Sequence, residues 1–553
     1  MKAIAAFLLL LAGSLAELRS ALAQEHQHAA GDAQELGQVE FTTSCRADVQ
    51  PDFDRAVAML HSFWYPEAEK AFADIAGRDP GCAMAYWGVA MSRLHPLWQP
   101  PGPEDLAAGQ AALAKARAAG SGTPRERDYI DALGKFYDDA GGSDHLVRMR
   151  AYEAAMAGLV RRHSEDPEAA IFHALALLGV AAASPPDGAL ARQKEAGTIL
   201  QARFAGQPDH PGIAHYIIHS YDYPELAEGA LEAARRYAEI APSAPHALHM
   251  PSHIFTRLGL WQESIESNRA AAAAARASAW TGEELHATDY LVYAYLQEAR
   301  DGEAREAVDR LPALAGELTP DAPAYVPQGI FAMAAIPARY AVERGEWREA
   351  AALSAQPGLL PGGSLCWAEA SLHFARGLGA ARLGEIQGAR SSAEWLTACA
   401  RTLREAGDER WARHTDVQRQ AVEGWTAMAK GDSAAALAAM REAADLEDAT
   451  DKHPVTPGAI IPARELLGEM LLELGRPGEA LAEFEASLRA APNRYRAIFG
   501  AGRAAAASGN SAGALGYYST LLEITARADT ERPGILEAEE SLRQAATASS
   551  GGP

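Results

Sequence analysis

Alanines and large apolar residues recur at three- and four-residue intervals over most of this chain, the spacing of one buried face on a helix. No stretch alternates apolar and polar residues for long enough to read as a strand. Inside the helical pattern a smaller motif repeats: an alanine, a bulky residue four positions on, and a proline eight positions later. Ala68, Phe72 and Pro80 carry it, as do Ala480, Phe484 and Pro492. Ala155, Leu159 and Pro167 carry it with leucine in the bulky position, and Pro208 and Pro242 mark the ends of two consecutive repeats. A small residue lets two helices cross at about 8–10 Å, the bulky one fills the groove beside the crossing, and proline ends the second helix. The pattern therefore predicts antiparallel helix pairs near 47–95, 145–180, 208–275 and 420–525. Weaker pairs follow near 287–315, 337–356 and 372–405. Loops are expected at Pro100–Pro103, Gly141–Gly142, Ser184–Gly188 and Pro361–Gly363.

With Leu467-Gly468 in the last clear repeat, these motifs resemble the tetratricopeptide-repeat (TPR) family over most of the chain. The resemblance implies an all-α, TPR-like solenoid, in which each helix pair buries its apolar face only by stacking on its neighbours. It also implies that the first helices line a concave groove whose side chains meet the ligand. The expected organisation is a signal peptide over 1–23, an N-terminal strap over 24–46 and an N-terminal array over 47–280 with a His-rich groove. Central helical repeats over 281–410 and C-terminal repeats over 411–545 complete it.

The chain has 553 residues, 50 Lys and Arg against 73 Asp and Glu, and a net charge of −23. That balance argues against nucleic acid or an anionic membrane surface as a main partner, since both need a basic footprint. Met1-Lys2, an apolar run to Leu15 and the small-residue site Ala21-Leu22-Ala23 form the three parts of a secretory signal. The apolar run is too short to span a bilayer, so no stable membrane insertion is expected. An exported, periplasmic or secreted chain beginning at Gln24 follows. In that oxidising compartment Cys45 and Cys82 are expected to pair, pinning the strap to the first helices. Cys366 and Cys399, each inside a helical pattern, are expected to be free buried cysteines.

Histidine carries the candidate chemistry. His215 and His219 lie four apart, as do His249 and His253, and the second pair follows the first at the interval that separates Pro208 from Pro242. They occupy the same positions of consecutive first helices. His246 adds an imidazole one turn before His249. His61 and His95 are separated by that same interval, and all seven fall on one predicted groove face. Neutral imidazoles from neighbouring helices suit a transition metal, with copper or zinc ahead of iron. Two ions would suit oxidative copper chemistry, and one open ion hydrolysis; the sequence favours neither, and leaves open whether the chain is an enzyme. The alternative is a metal-free scaffold that binds a protein or peptide partner in the groove. Pro251, between His249 and His253, is expected to disturb their spacing. Tyr216, Tyr221, Asp222, Tyr223, Ser252 and Arg257 could support the ligands, though each also has a structural reading. His453, in a loop, could cover the groove, and His173 is expected to be packed. Trp64, Tyr65, Trp87 and Trp98 read as core or groove wall. Gln24-Glu25-His26 would form an amino-terminal chelator only without cyclisation of Gln24. There is no phosphate-binding glycine loop, nucleophile elbow or H-E-x-x-H motif.

Overall fold

A computed structural model describes residues 34–97, 100–120, 122–139, 141–184, 188–318, 327–354 and 366–550. The signal peptide, the start at Gln24, Trp98 and the Pro361–Gly363 loop lie outside the described residues. The described residues are helical and contain no strand. Helices pair antiparallel in chain order, and the first helices of successive pairs lie side by side to form a TPR-like solenoid. The helices that matter for the site are α1 (Gln50–His61), α2 (Pro167–Ala183), α3 (Pro211–Tyr221), α4 (Pro245–His249), α5 (Pro251–Leu258) and α6 (Thr281–Gln297).

The packing explains the repeat motif. Phe484 is fully buried, and a Cβ added at Gly468 or Gly500 would lie 2.8 or 2.3 Å from its ring. Only glycine lets both neighbouring helices close on that ring. Phe72 presses on Gly88 in the same way.

The strap crosses the first repeats in extended form. Gln38 donates its amide to the Asp209 carbonyl at 2.9 Å. Phe41 is buried among Phe53, Trp87, Tyr129 and Phe172. Cys45 is bonded to Cys82, as expected. Cys366 and Cys399 are not the free pair expected of them; they form a second disulfide, with Cα atoms 5.8 Å apart. They stand on the two helices of one repeat, Cys366–Arg382 and Ile386–Glu405, and antiparallel packing brings those faces together.

The array also closes on itself. Trp261 Nε1 donates to the Asn493 carbonyl at 2.8 Å, and Asp301 pairs with Arg532. Arg494 is buried between Glu465, Glu343 and the Tyr293 hydroxyl. The loop over 451–462 crosses the faces of the first helices. Arg339, itself held by Asp289 at 2.8 Å, donates to the carbonyls of Gly458 and Ala459 and to the Thr456 hydroxyl. No helix among the described residues is long and apolar enough to cross a membrane.

Candidate metal centre

Three consecutive first helices supply six histidines. Prolines at the starts of α3, α4 and α5 cost nothing there, because the first turn of a helix has unpaired amides in any case. Pro251 divides α4 from α5, yet Met250 keeps helical angles (φ −54°, ψ −35°), so the chain runs on without a break. The expected disturbance is small, and His249 and His253 stay on one face.

The imidazoles form two triads, each with its ligand nitrogens within 4.8 Å of one another. His215, His219 and His246 make one, and His249, His253 and His286 the other. They adjoin: the His219 and His253 rings are 6.5 Å apart, and the His246 and His249 rings 6.3 Å. The histidines expected on one groove face thus divide into two clusters. His246 belongs fully to the first triad, and the second takes its third member from α6.

Hydrogen bonds fix the tautomer of His215, His249 and His253. His215 donates from Nδ1 to the His61 carbonyl at 2.6 Å, leaving its buried Nε2 lone pair without a hydrogen-bond partner among the described residues. His219 Nε2 likewise has no partner. His249 donates from Nδ1 to Asn268 Oδ1 at 2.7 Å, and the Asn268 orientation is fixed because its Nδ2 donates to the Ser264 carbonyl at 2.8 Å. His253 donates from Nδ1 to Asp222 at 2.9 Å. The two Nε2 atoms of His249 and His253 then face each other at 3.1 Å, lone pair to lone pair. The Tyr290 hydroxyl, 3.3 Å from His253 Nε2, has one proton and can meet only one of the two. A cation between them satisfies both. A proton is a poor candidate for it: burial lowers both pKa values, and neighbouring imidazoles lower that of His249 further. Burial likewise brings His215 and His286 down to about 3, and pushes His219 and His246 well below the ordinary histidine value. All six rings are therefore neutral at pH 7, the form that binds metal. Supports that hold Nδ1–H and aim Nε2 inward are the usual companions of metal-ligating histidine.

Packing closes much of the centre. Phe63, held at φ +54°, packs its ring 4.4 Å from His215 and 5.6 Å from both His219 and His246. A bulky residue in that backbone region is strained, and such strain persists where packing demands it. On the other triad lies the 451–462 loop. Lys452 donates to Asp222 at 2.8 Å, and the Tyr290 hydroxyl lies 3.2 Å from the Pro454 carbonyl. His453, in the same loop, stacks on Trp411 and stands outside the triads.

His61 and His95 do not join. His61 ends α1 with both nitrogens engaged, Nε2 to Glu168 at 3.0 Å and Nδ1 to the Tyr216 hydroxyl at 3.0 Å. Its ring fits because residue 212 is glycine; a Cβ there would lie 2.6 Å from it. His61 instead serves the first triad through its backbone carbonyl. His95 falls beyond the helix Ala83–Met91 and sits at φ +46° before Pro96, with its ring on Tyr65. Proline disfavours helical angles in the preceding residue, which ends the register there. Glu168 accepts from His61 and from His210, whose Nε2 is 2.8 Å away. His173 pairs with Glu153 at 3.1 Å. His286 was missed because, counted from His253, it falls one position short of the repeat interval. Its place on the third first helix was the signal that could have found it.

No protein-family model matches the sequence, and no curated protein matches it. Among solved structures, a human IFIT1 dimer with PPP-AAAA is similar at 13% identity over 80% of this chain and 91% of that chain, with TM-score 0.35. The Cut9 chain of the APC/C hetero-tetramer Cut9-Hcn1 matches at 13% identity over 90% of each chain, with TM-score 0.33. A chain of Naa15/Naa10 bound to HypK-THB matches at 14% identity over 89% of this chain and 73% of that chain, with TM-score 0.24. Likeness at this level carries nothing about function.

Proposed function

We propose that this chain is an exported TPR-like protein that holds two transition-metal ions, copper or zinc, in adjoining three-histidine sites. The observation that carries the reading is the opposed pair of Nε2 lone pairs on His249 and His253, 3.1 Å apart, each fixed by a partner on Nδ1. The shell is all imidazole, with Asp222 behind it as the nearest carboxylate partner. That set suits copper or zinc and is poor for magnesium or calcium. Copper in such a pair supplies electron exchange when bound. The chain's own residues keep the rings neutral and aim them, with Phe63 packed on one triad and the 451–462 loop over the other. The two disulfides are compatible with an extracellular location, as export requires. A metal-free docking groove is the alternative, but over His249, His253 and His286 that face is already filled by the 451–462 loop.

Elemental analysis of the purified chain after dialysis tests the reading. The native chain should retain about two equivalents, one per triad. His219→Ala and His253→Ala should each lose about one, with helical content unchanged. A native chain that neither retains nor rebinds metal, or two variants with unchanged content, overturns it.

A further inference from the structure

A cavity of about 890 Å³ opens beside the first triad, and His219 is part of its wall. Small-molecule sites run from about 300 to 1,000 Å³. One side is aromatic. Phe331, Trp367 and Trp411 lie nearly parallel in part, with Trp367 and Trp411 4.5 Å apart at 17° and Phe331 and Trp367 5.9 Å apart at 23°. Tyr223, two residues after α3, stands on the same cavity and accepts a hydrogen bond from Gln193 at 3.1 Å.

The charge of this cavity opposes that of the molecule. Seven arginine and lysine side chains line it against five carboxylates, whereas the chain as a whole has 50 basic and 73 acidic residues. The carboxylates are also largely committed. Asp222 is taken by Lys452 and Arg257, and Asp448 by Arg464. Burial pushes Glu447 up to about 7, which removes much of its charge at neutral pH. Arg192 and Arg410, both half-buried on the wall, have no carboxylate within 4.0 Å among the described residues. A low-dielectric cleft of one sign concentrates ligands of the other, and a guanidinium fork matches a carboxylate.

We propose that this cavity binds the substrate of the histidine centre and that the substrate is a small aromatic carboxylate. Its ring lies against the cavity-facing edges of Trp367 and Trp411, whose faces are taken by each other, Phe331 and His453, and its carboxylate meets Arg410 and Arg192. The assignment as substrate rests on the metal reading above; the binding itself does not.

Titration calorimetry on the full chain tests it, with 4-hydroxybenzoate as probe and phenol and benzylamine as the neutral and cationic comparisons. It is run on chain stripped with a chelator and on chain reloaded with copper. The carboxylate should bind saturably in both forms and more tightly than either comparison. Arg410→Gln and Arg192→Gln should each weaken it about tenfold, through loss of a charged hydrogen bond, and leave phenol binding unchanged. Two variants guard against a misfolded one, and circular dichroism identifies it. Absent binding, benzylamine bound as tightly, or both variants unchanged overturns the proposal, even if the chain holds two metal ions. Arginine-dependent binding by a chain that takes up no metal sustains the cavity's ligand class and overturns the assignment as substrate.

Discussion

Asn268 makes no contact with an ion position, yet its amide decides which nitrogen of His249 carries the proton. Replacing it with leucine removes the acceptor and lets His249 turn Nε2–H toward His253. Partners of this kind typically contribute 10–100-fold to metal affinity. Asn268→Leu should therefore weaken one of two copper equivalents by about that factor in a competition titration, and leave the equivalent held by His215, His219 and His246 in place. Glu168 works one layer further out, beneath His61. Burial raises its pKa, but the donors on His210 and His61 outweigh this and hold it well below the usual carboxylate range. A depressed folded-state pKa contributes stability that is full above the unfolded value, near 4.5, and is lost as pH falls below it. Glu168→Gln breaks a buried network and should cost about 2–4 kcal/mol at pH 7. The gap from the native chain should shrink as pH drops below about 4.5, which urea unfolding at pH 7, 5 and 4 would measure. A gap constant with pH would show that Glu168 is uncharged when folded.

Helices and their pairing were legible in the order of residues because each pair is a local unit with its own motif. The proline at the end of one repeat, the bulky residue in its groove and the glycine opposite it lie within one period of each other. The histidine positions on α3, α4 and α5 were legible for the same reason, since one register recurs at the interval of the repeat. Two elements broke the register. The helix Ala83–Met91 stops four residues before His95, and α6 carries His286 one residue out of step. The Cys366–Cys399 bond was not legible, because it depends on which faces of two antiparallel helices meet. It closes a segment with sequence separation 33 and contributes about 3–4 kcal/mol in the chain-entropy picture. The division into two triads was equally hidden. It is set by side-chain direction and by hydrogen bonds to Asn268, Asp222 and the His61 carbonyl, which lie outside the helices that carry those histidines.

Across the molecule, the C-terminal repeats return to the central ones through Trp261 with Asn493 and Asp301 with Arg532. That return brings the 451–462 loop over a centre built far earlier in the chain, a relation no local pattern encodes. Its consequence is one of timing. The triad holding His219 has that one histidine on the wall of an open cavity, so an ion would have the shorter way in through the folded protein. The triad under Lys452, Pro454 and Tyr290 has no such doorway among the described residues. An ion there would enter before the loop settles, or wait for a local opening whose frequency is set by the Arg339 and Lys452 anchors. Copper added to the folded chain should thus arrive in two phases, one fast and one slow. Lys452→Met should quicken the slow phase alone, as stopped-flow and manual-mixing absorbance would record, and the same gate makes the second ion the last to leave when a chelator is added.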